Sequence, residues 1–210
     1  MNITIIGASA GVGLECVKRA LARNHKVTTL SRSEIKIASS ENLTTLRGDA
    51  LNKSDLLKAV QSADAVIIAL GTGKNIKATT LYSDFAKLLV EIQTELNTQI
   101  PVIVLTGFGA GDSGAYNTFI MKIFFTLLLK SIYANKSIME QIISSSKMKW
   151  EIVRPGLLTN TGLTEKYRTE TSLYKGINIG AISRADVADF MVKQAENPTL
   201  LYNYVALSSK

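Results

Sequence analysis

The chain has 210 residues, 46% hydrophobic and 20% charged, with a formal net charge of +7, one cysteine and one histidine. That is enough for one packed domain of ordinary soluble composition; a lone cysteine excludes an intramolecular disulfide, and one His with one Cys cannot supply the usual ligands of a zinc site. The basic residues are scattered, and no helix-turn-helix, zinc-finger or RNA-binding signature accompanies them, so the charge reads as a surface that attracts phosphorylated small molecules and not nucleic acid.

The chain opens in strand-like sequence, Asn2-Ile-Thr-Ile-Ile, without a basic and apolar leader. With the lone Cys16, this predicts a cytoplasmic protein. The strand runs into Gly7-Ala-Ser-Ala-Gly-Val-Gly13, and helical spacing follows at once. A buried strand, a glycine turn and a helix N-terminus in that order form a cradle for a dinucleotide pyrophosphate. Gly7 permits the turn, Gly11 admits the phosphates, and Gly13 lets the helix pack on its strand. Ser9, Ala10 and Val12 complete the turn; a Ser9 hydroxyl either reaches the phosphates or caps the helix. Cys16 falls inside the first helix and reads as a small buried hydrophobe. His25 reads as a solvated turn residue, which excludes histidine-dependent triads.

Further strands are predicted at residues 27–30, 44–46, 65–70, 102–105 and 151–153, after the first at 3–6. Helices are predicted at 13–22, 54–60, 80–96 and 118–145. This alternation predicts an α/β fold: a Rossmann-type, doubly wound, mostly parallel sheet with helices on both faces. Beyond Arg154-Pro-Gly156 regularity lapses through residue 171. A helix at 184–196, with Ser183 and Asp186 spaced as a capping box, and a strand at 202–207 close the chain. One domain over 1–210 is expected, with 154–182 contributing small elements on the substrate side. The apolar stretch 119–129 is too short, and too interrupted by Lys122 and bounded by Lys130, to span a bilayer. It reads as a core helix, with a dimer face or lid as the minor alternative; the chain is expected to be a monomer or homodimer.

Ser31-Arg32-Ser33 ends the second strand, where NAD sites carry an acid for the ribose and NADP sites carry arginine and hydroxyls for the 2′-phosphate. NADP is therefore expected over NAD, with Glu34 as the competing ribose ligand. Asp49 and Ala50 follow the third strand, where Asp49 either accepts from an adenine amino group or caps a turn. Ala69, Leu70, Gly71 and Thr72 end the fourth strand, beside the expected reversal of strand order.

Together with Lys136, Trp150-Glu-Ile-Val-Arg-Pro-Gly156 and Ser183-Arg-Ala-Asp-Val-Ala188, these segments resemble the atypical short-chain dehydrogenase/reductases. The resemblance covers essentially the whole chain and is closest to the NmrA-like group with its biliverdin- and flavin-reducing members. It implies an NADP-binding domain whose nicotinamide lies near Thr106, Gly107, Lys136, Pro155, Gly156 and Leu157. Thr106 and Lys136 are the implied catalytic pair; a strand-end threonine and a surface lysine are the alternatives. No tyrosine is followed four residues later by lysine, so the classical Tyr-x-x-x-Lys acid pair is absent, and Tyr133 precedes Lys136 by three. Gly107 and Leu157 also replace a serine and a histidine of the biliverdin-reducing members, which argues against biliverdin.

A ketone needs a positioned proton donor, whereas a conjugated ring spreads incoming charge and needs mainly to be stacked. The expected activity is therefore hydride transfer from NADPH to FMN or another flavin, or to a quinone, as a small-molecule conjugated acceptor. The alternative is a non-catalytic NADP(H)-binding redox sensor. A nucleotide-sugar epimerase fits poorly in so short a chain. Loops 73–79, 107–117 and 157–171, with Lys74, Lys77, Tyr116, Lys166, Tyr167 and Arg168, are expected to shape the acceptor site.

Overall fold

The computed structural model describes residues 1–73, 75, 77–117 and 129–210. Along the chain run β1 (Asn2–Ile6), α1 (Gly11–Ala22), β2 (Lys26–Ser31), β3 (Leu43–Arg47), α2 (Lys53–Val60), β4 (Ala65–Ile68), α3 (Leu81–Leu96) and β5 (Pro101–Leu105). A 3₁₀ turn (Gly111–Tyr116), α4 (Lys130–Ser144), β6 (Lys149–Pro155), β7 (Leu157–Thr159), β8 (Tyr167–Glu170), β9 (Ala181–Ser183), α5 (Arg184–Glu196) and β10 (Tyr204–Ser209) follow.

Eight strands form one sheet in the order β3-β2-β1-β4-β5-β6-β10-β8. All neighbours are parallel except β8, which pairs antiparallel with β10. The fold is thus the expected Rossmann-type α/β sheet. β1 and β4 lie side by side, yet the chain leaves β1 toward β2 and leaves β4 toward β5. The segments after these two strands diverge and leave a crevice at their carboxyl ends, the place where ligands bind such sheets.

Alternation along the strands feeds two cores. Ile3, Ile5, Ile67, Ile103 and Val153 face α1 and α5, where Val17, Val187 and Met191 meet them. Ile6, Ile68, Val104 and Ile152 face the other side, against Leu56, Phe85, Leu89 and Met139 of α2, α3 and α4. Burying each such side chain contributes roughly 1.5–3 kcal/mol. Being covered on both faces, β4 is a continuous apolar run, Ala-Val-Ile-Ile, without polar alternation. Cys16 is fully buried in the first of these cores, and burial pushes its thiol far up, so it is an inert core residue.

Several elements depart from expectation. β4 ends at Ile68, two residues early, because Ala69 and Leu70 turn toward Gly7. The segment after Arg154 holds β7 and β8, which were expected to be irregular; each is short, and their partners, β9 and β10, are distant in sequence. The final strand is displaced to Tyr204–Ser209, since Tyr202 adopts a positive φ. Of the helix expected over 118–145, Lys130–Ser144 is seen; the apolar stretch 119–129 lies outside the described residues except for Leu129.

Buried charges need partners, and most of those in this chain's described residues have them. Asp189, wholly buried, accepts from Arg19 Nε at 2.6 Å and Tyr167 Oη at 2.8 Å and pairs with Lys193 at 2.7 Å. Ser183 caps α5 by accepting from Asp186 N at 2.9 Å. The capping box is only half formed: the Asp186 carboxylate receives the amides of Thr164 and Glu165, both at 2.8 Å, pinning that loop to the helix. His25 differs from expectation as well: it is not a solvated turn residue but lies half-buried with Nε2 2.5 Å from Glu196.

Glu151 of β6 is the exception. It is wholly buried, sits opposite Ile103, and neither carboxylate oxygen has a hydrogen-bond partner among the described residues. Burial pushes its carboxyl up to about 8. Between the ordinary glutamate range and that value, the unfolded chain ionises while the folded one holds its proton, so stability falls as pH rises. Glu151→Gln removes this dependence. Relative to wild type, the variant should gain on the order of 1.4 kcal/mol per pH unit between about pH 5 and 8 in denaturant unfolding. A constant difference across that window would exclude a protonated Glu151.

Candidate functional site

A cleft of about 960 Å³ opens at the carboxyl ends of β1, β2, β4, β5 and β6, at the reversal of strand order. It brings together Gly7, Ser9, Ala10, Gly11, Val12, Ser31, Arg32, Ser33, Asp49, Ala50, Ala69, Leu70, Gly71, Thr72, Thr106, Gly107, Lys136, Pro155, Gly156 and Leu157. Of the residues expected to hold the nicotinamide dinucleotide, Gly13 does not line it.

Gly13 lies beneath the turn. A Cβ there would stand 2.2 Å from the Gly7 carbonyl oxygen, and one on Gly7, whose φ is +86°, would stand 2.6 Å from Ala69 O. Neither position has room for a side chain, so α1 begins in direct backbone contact with the turn. Ala10 at the N-cap offers no capping side chain, and the first turn of α1 carries no acid. The amides that every helix N-terminus leaves unpaired therefore face the cleft together with the positive end of the helix dipole. These residues fit a pyrophosphate.

At the end of β2, Ser31 Oγ donates to Ser33 O at 2.8 Å, tightening the turn that presents Arg32, which is exposed at the cleft edge. Glu34 lines a different groove, with Ile35, Leu43 and Arg47, on the β3 side. Asp49 Oδ1 accepts from the Leu51 amide at 3.0 Å, so the aspartate holds its own turn while also bordering the cleft.

The other end is built on β5, β6 and α4. Lys136 Nζ donates to the carbonyl of Thr106 at 2.6 Å and lies 5.4 Å from the ring centre of Tyr82 and 5.2 Å from that of Tyr133. Burial pushes its amine down to about 8 against the opposing pull of Glu140. The Thr106 hydroxyl donates to Glu140 Oε1 at 2.6 Å, and Glu140 is gripped by Arg154 through Nε at 3.1 Å and Nη2 at 2.7 Å. Arg154 reaches out to Asp112 at 2.6 Å and stacks over Tyr204, its guanidinium carbon 4.2 Å from the ring centre. A buried ion pair thus fixes the threonine whose carbonyl holds the lysine. Tyr133 also lines the cleft, and burial, with Tyr82 and Glu140 nearby, pushes its phenol up to about 12, so it keeps its proton.

Sequence reasoning missed Tyr82, Glu140, Arg154 as an anchor, and Arg184. Their signal was faint: Glu140 lies one helical turn beyond Lys136, and Arg154 stands inside the Arg-Pro-Gly segment. Phe108, Tyr116, Leu158, Ile177 and Ile179 add an apolar wall beside Leu157, which is 65% exposed. Of the loop residues expected to shape this end, Tyr116 does so and Lys74 lies outside the described residues. Lys77, Lys166, Tyr167 and Arg168 do not line the cleft; Tyr167 and Arg168 belong to β8, bonded to Asp189 and Ser208. Among the described residues no group of three His, Cys, Asp or Glu side chains is arranged to hold a metal, and no helix is long and apolar enough to cross a membrane.

The model of a family described as NAD(P)H-binding matches residues 7–198. Among solved structures, the chain is similar to a short-chain dehydrogenase/reductase from Veillonella parvula DSM 2008 in complex with NADP, with TM-score 0.82 and 18% identity over 99% of this chain and 94% of that one. A candidate NADH-flavin reductase from Streptococcus pneumoniae TIGR4 superimposes with TM-score 0.81 and 23% identity, each chain covered over its full length. ChuY, an anaerobilin reductase from Escherichia coli O157:H7, matches with TM-score 0.78 and 21% identity, covering 100% of this chain and 97% of that one.

The backbone contact under Gly13 leads to a direct test. Gly13→Ala should force α1 away from the turn, cost about 1–3 kcal/mol of stability as an overpacking change, and weaken nucleotide binding at least tenfold in a fluorescence titration. Wild-type stability and affinity together would contradict the close approach.

Proposed function

The chain belongs to the NAD(P)H-binding family, and we propose that within it this protein is an NADPH-dependent reductase that passes hydride to a flavin or a similar conjugated acceptor. The observation that carries the reading is the continuity of the cleft. One end offers an arginine and two serines, the middle an uncapped helix N-terminus, and the far end an apolar wall beside a held lysine. Such a cleft accommodates an extended dinucleotide with room for a planar ring at its apolar end.

Arg32, Ser31 and Ser33 take the 2′-phosphate in this reading, and Asp49 and Ala50 border the adenine. Arg32 borders the cleft whereas Glu34 lines the adjoining groove, which supports NADPH over NADH. Gly7, Ser9, Ala10, Gly11 and Val12 surround the pyrophosphate, with Gly13 beneath. Ala69, Leu70, Gly71 and Thr72 flank the nicotinamide half. Lys136 holds the nicotinamide ribose, and Thr106 positions Lys136 through its carbonyl while its own hydroxyl serves Glu140. Gly107, Pro155, Gly156 and Leu157 line the place where the acceptor ring stacks.

The bound reduced nicotinamide supplies the hydride, solvent supplies the proton, and the acceptor leaves two electrons richer. Orientation by the apolar wall does most of the catalytic work, because a conjugated ring disperses the arriving charge. The reductases among the structural neighbours support this class of reaction. Residues 154–182 form the acceptor side of a single domain, and the buried thiol suits a reducing cytoplasm.

Two measurements test the proposal. Stopped-flow oxidation of NADPH should accelerate when FMN, riboflavin or a quinone is added; tight NADPH binding with no acceptor-dependent turnover would favour a cofactor sensor instead. Arg32→Ala should weaken NADPH by about 10- to 100-fold and leave NADH nearly unchanged. Equal losses for both would remove Arg32 from the 2′-phosphate.

A further inference from the structure

Arg184 occupies the first position of α5, where a positive charge opposes the helix dipole. Local preference therefore does not account for an arginine here, and Ser183 already caps the helix. Its side chain leaves the helix and crosses to the glycine turn: a Cβ built on Gly11 would have Arg184 Nε, at 4.0 Å, as its nearest neighbour. Gly11 is exposed, has a φ of +59°, and lies on the turn whose neighbouring amides open into the cleft. Arg184 lines the same cleft.

From the opposite side, Arg184 Nη1 donates to the carbonyl of Leu158 at 3.3 Å and to Asn160 Oδ1 at 2.7 Å. Both partners belong to the segment that follows Gly156 and carries Leu157. Among the described residues these are the guanidinium's hydrogen bonds, and both use one nitrogen. Nε and Nη2 are thus available to an anion at the turn.

We infer that Arg184 is a pyrophosphate-binding residue, and that it couples the dinucleotide to the acceptor-side wall. The inference rests on the cofactor orientation proposed above. A guanidinium suits the task because its planar fork can serve two partners at once, a phosphate on one edge and backbone on the other. Arrival of the pyrophosphate neutralises the charge that α5 opposes and immobilises the guanidinium. The segment Leu157–Asn160 is then held in place where the acceptor ring must stack. Arg184 also differs from Arg32 in what it reads, since the pyrophosphate is common to NADPH and NADH.

Equilibrium titration of the intact protein with NADPH and with NADH separates these roles. Arg184→Ala and Arg184→Gln should each weaken both nucleotides by a similar factor, about 10- to 100-fold, with Arg184→Lys recovering part of the loss. Peptide-level hydrogen exchange adds a readout that a purely structural arginine would not move. NADPH should protect the peptide containing residues 157–161 in wild type and fail to protect it in Arg184→Gln at saturating nucleotide. If the arginine variants bind both nucleotides like wild type while Arg32→Ala still loses NADPH, Arg184 is not a ligand and the cofactor reading stands. If Arg32→Ala and Gly13→Ala also bind NADPH normally, the orientation itself is wrong and the inference falls with it. Should Arg184→Ala fail to fold, Arg184→Lys and Arg184→Gln carry the comparison, and wild-type affinity in both overturns the inference.

Discussion

Everything at the candidate site depends on a contact between two pieces of backbone, the start of α1 and the carbonyl of Gly7. With no side chain between them, the helix begins directly over the end of β1, and its unpaired amides point across the sheet edge instead of into solvent. The reversal of strand order beside it supplies the space. Because β1 and β4 send their following segments in opposite directions, nothing in the sheet closes the crevice, and the helix dipole faces an open volume. The arginine at the end of β2, the threonine at the end of β5 and the arginine at the start of α5 then reach one cleft from three elements.

Polar burial is arranged differently on the two faces of the sheet. Beneath the cleft, Arg154 is neutralised by Glu140, which accepts the Thr106 hydroxyl, and Thr106 in turn holds Lys136 by its carbonyl. Each charge in that chain has a partner of the opposite sign or a good acceptor, so the low dielectric that makes desolvation costly also strengthens the links that offset it. The lysine at its end, ringed by Tyr82 and Tyr133, gives up part of its affinity for a proton to burial. Glu151 in the same strand has no such arrangement and meets burial by keeping its proton. One strand thus contains both answers to a charge inside a protein: pairing, as at Arg154, and neutralisation, as at Glu151.

Much of the fold was legible because the physics behind it is local. The run Asn2-Ile-Thr-Ile-Ile before Gly7 could only be a buried strand entering a turn, and the strand–helix alternation that follows admits few topologies besides a parallel sheet. β7 and β8 were not legible: a three-residue strand and a polar four-residue strand have little pattern of their own, and their pairing with β9 and β10 is decided by distant chain. His25 was misread for a related reason, since Glu196, its partner, lies 171 residues away. At the site, the glycines and Arg32 stood out by residue type and position, and Lys136 only through the resemblance to a family. Glu140 and Arg184 did not, because a carboxylate on a helix and an arginine after a cap look like surface until the fold brings Thr106 and Gly11 beside them.

By itself, the sequence determined the class of sheet, the location of a glycine turn ahead of a helix N-terminus and the absence of the Tyr-x-x-x-Lys pair, because each is set by residues close along the chain. The tertiary structure decided which charges share a cleft. It set Arg32 at the cleft and Glu34 in the adjoining groove on the β3 side although they are two residues apart. It also brought Arg184 to Gly11 across almost the whole chain, because α1 and α5 must pack together on one face of the sheet to bury their apolar sides.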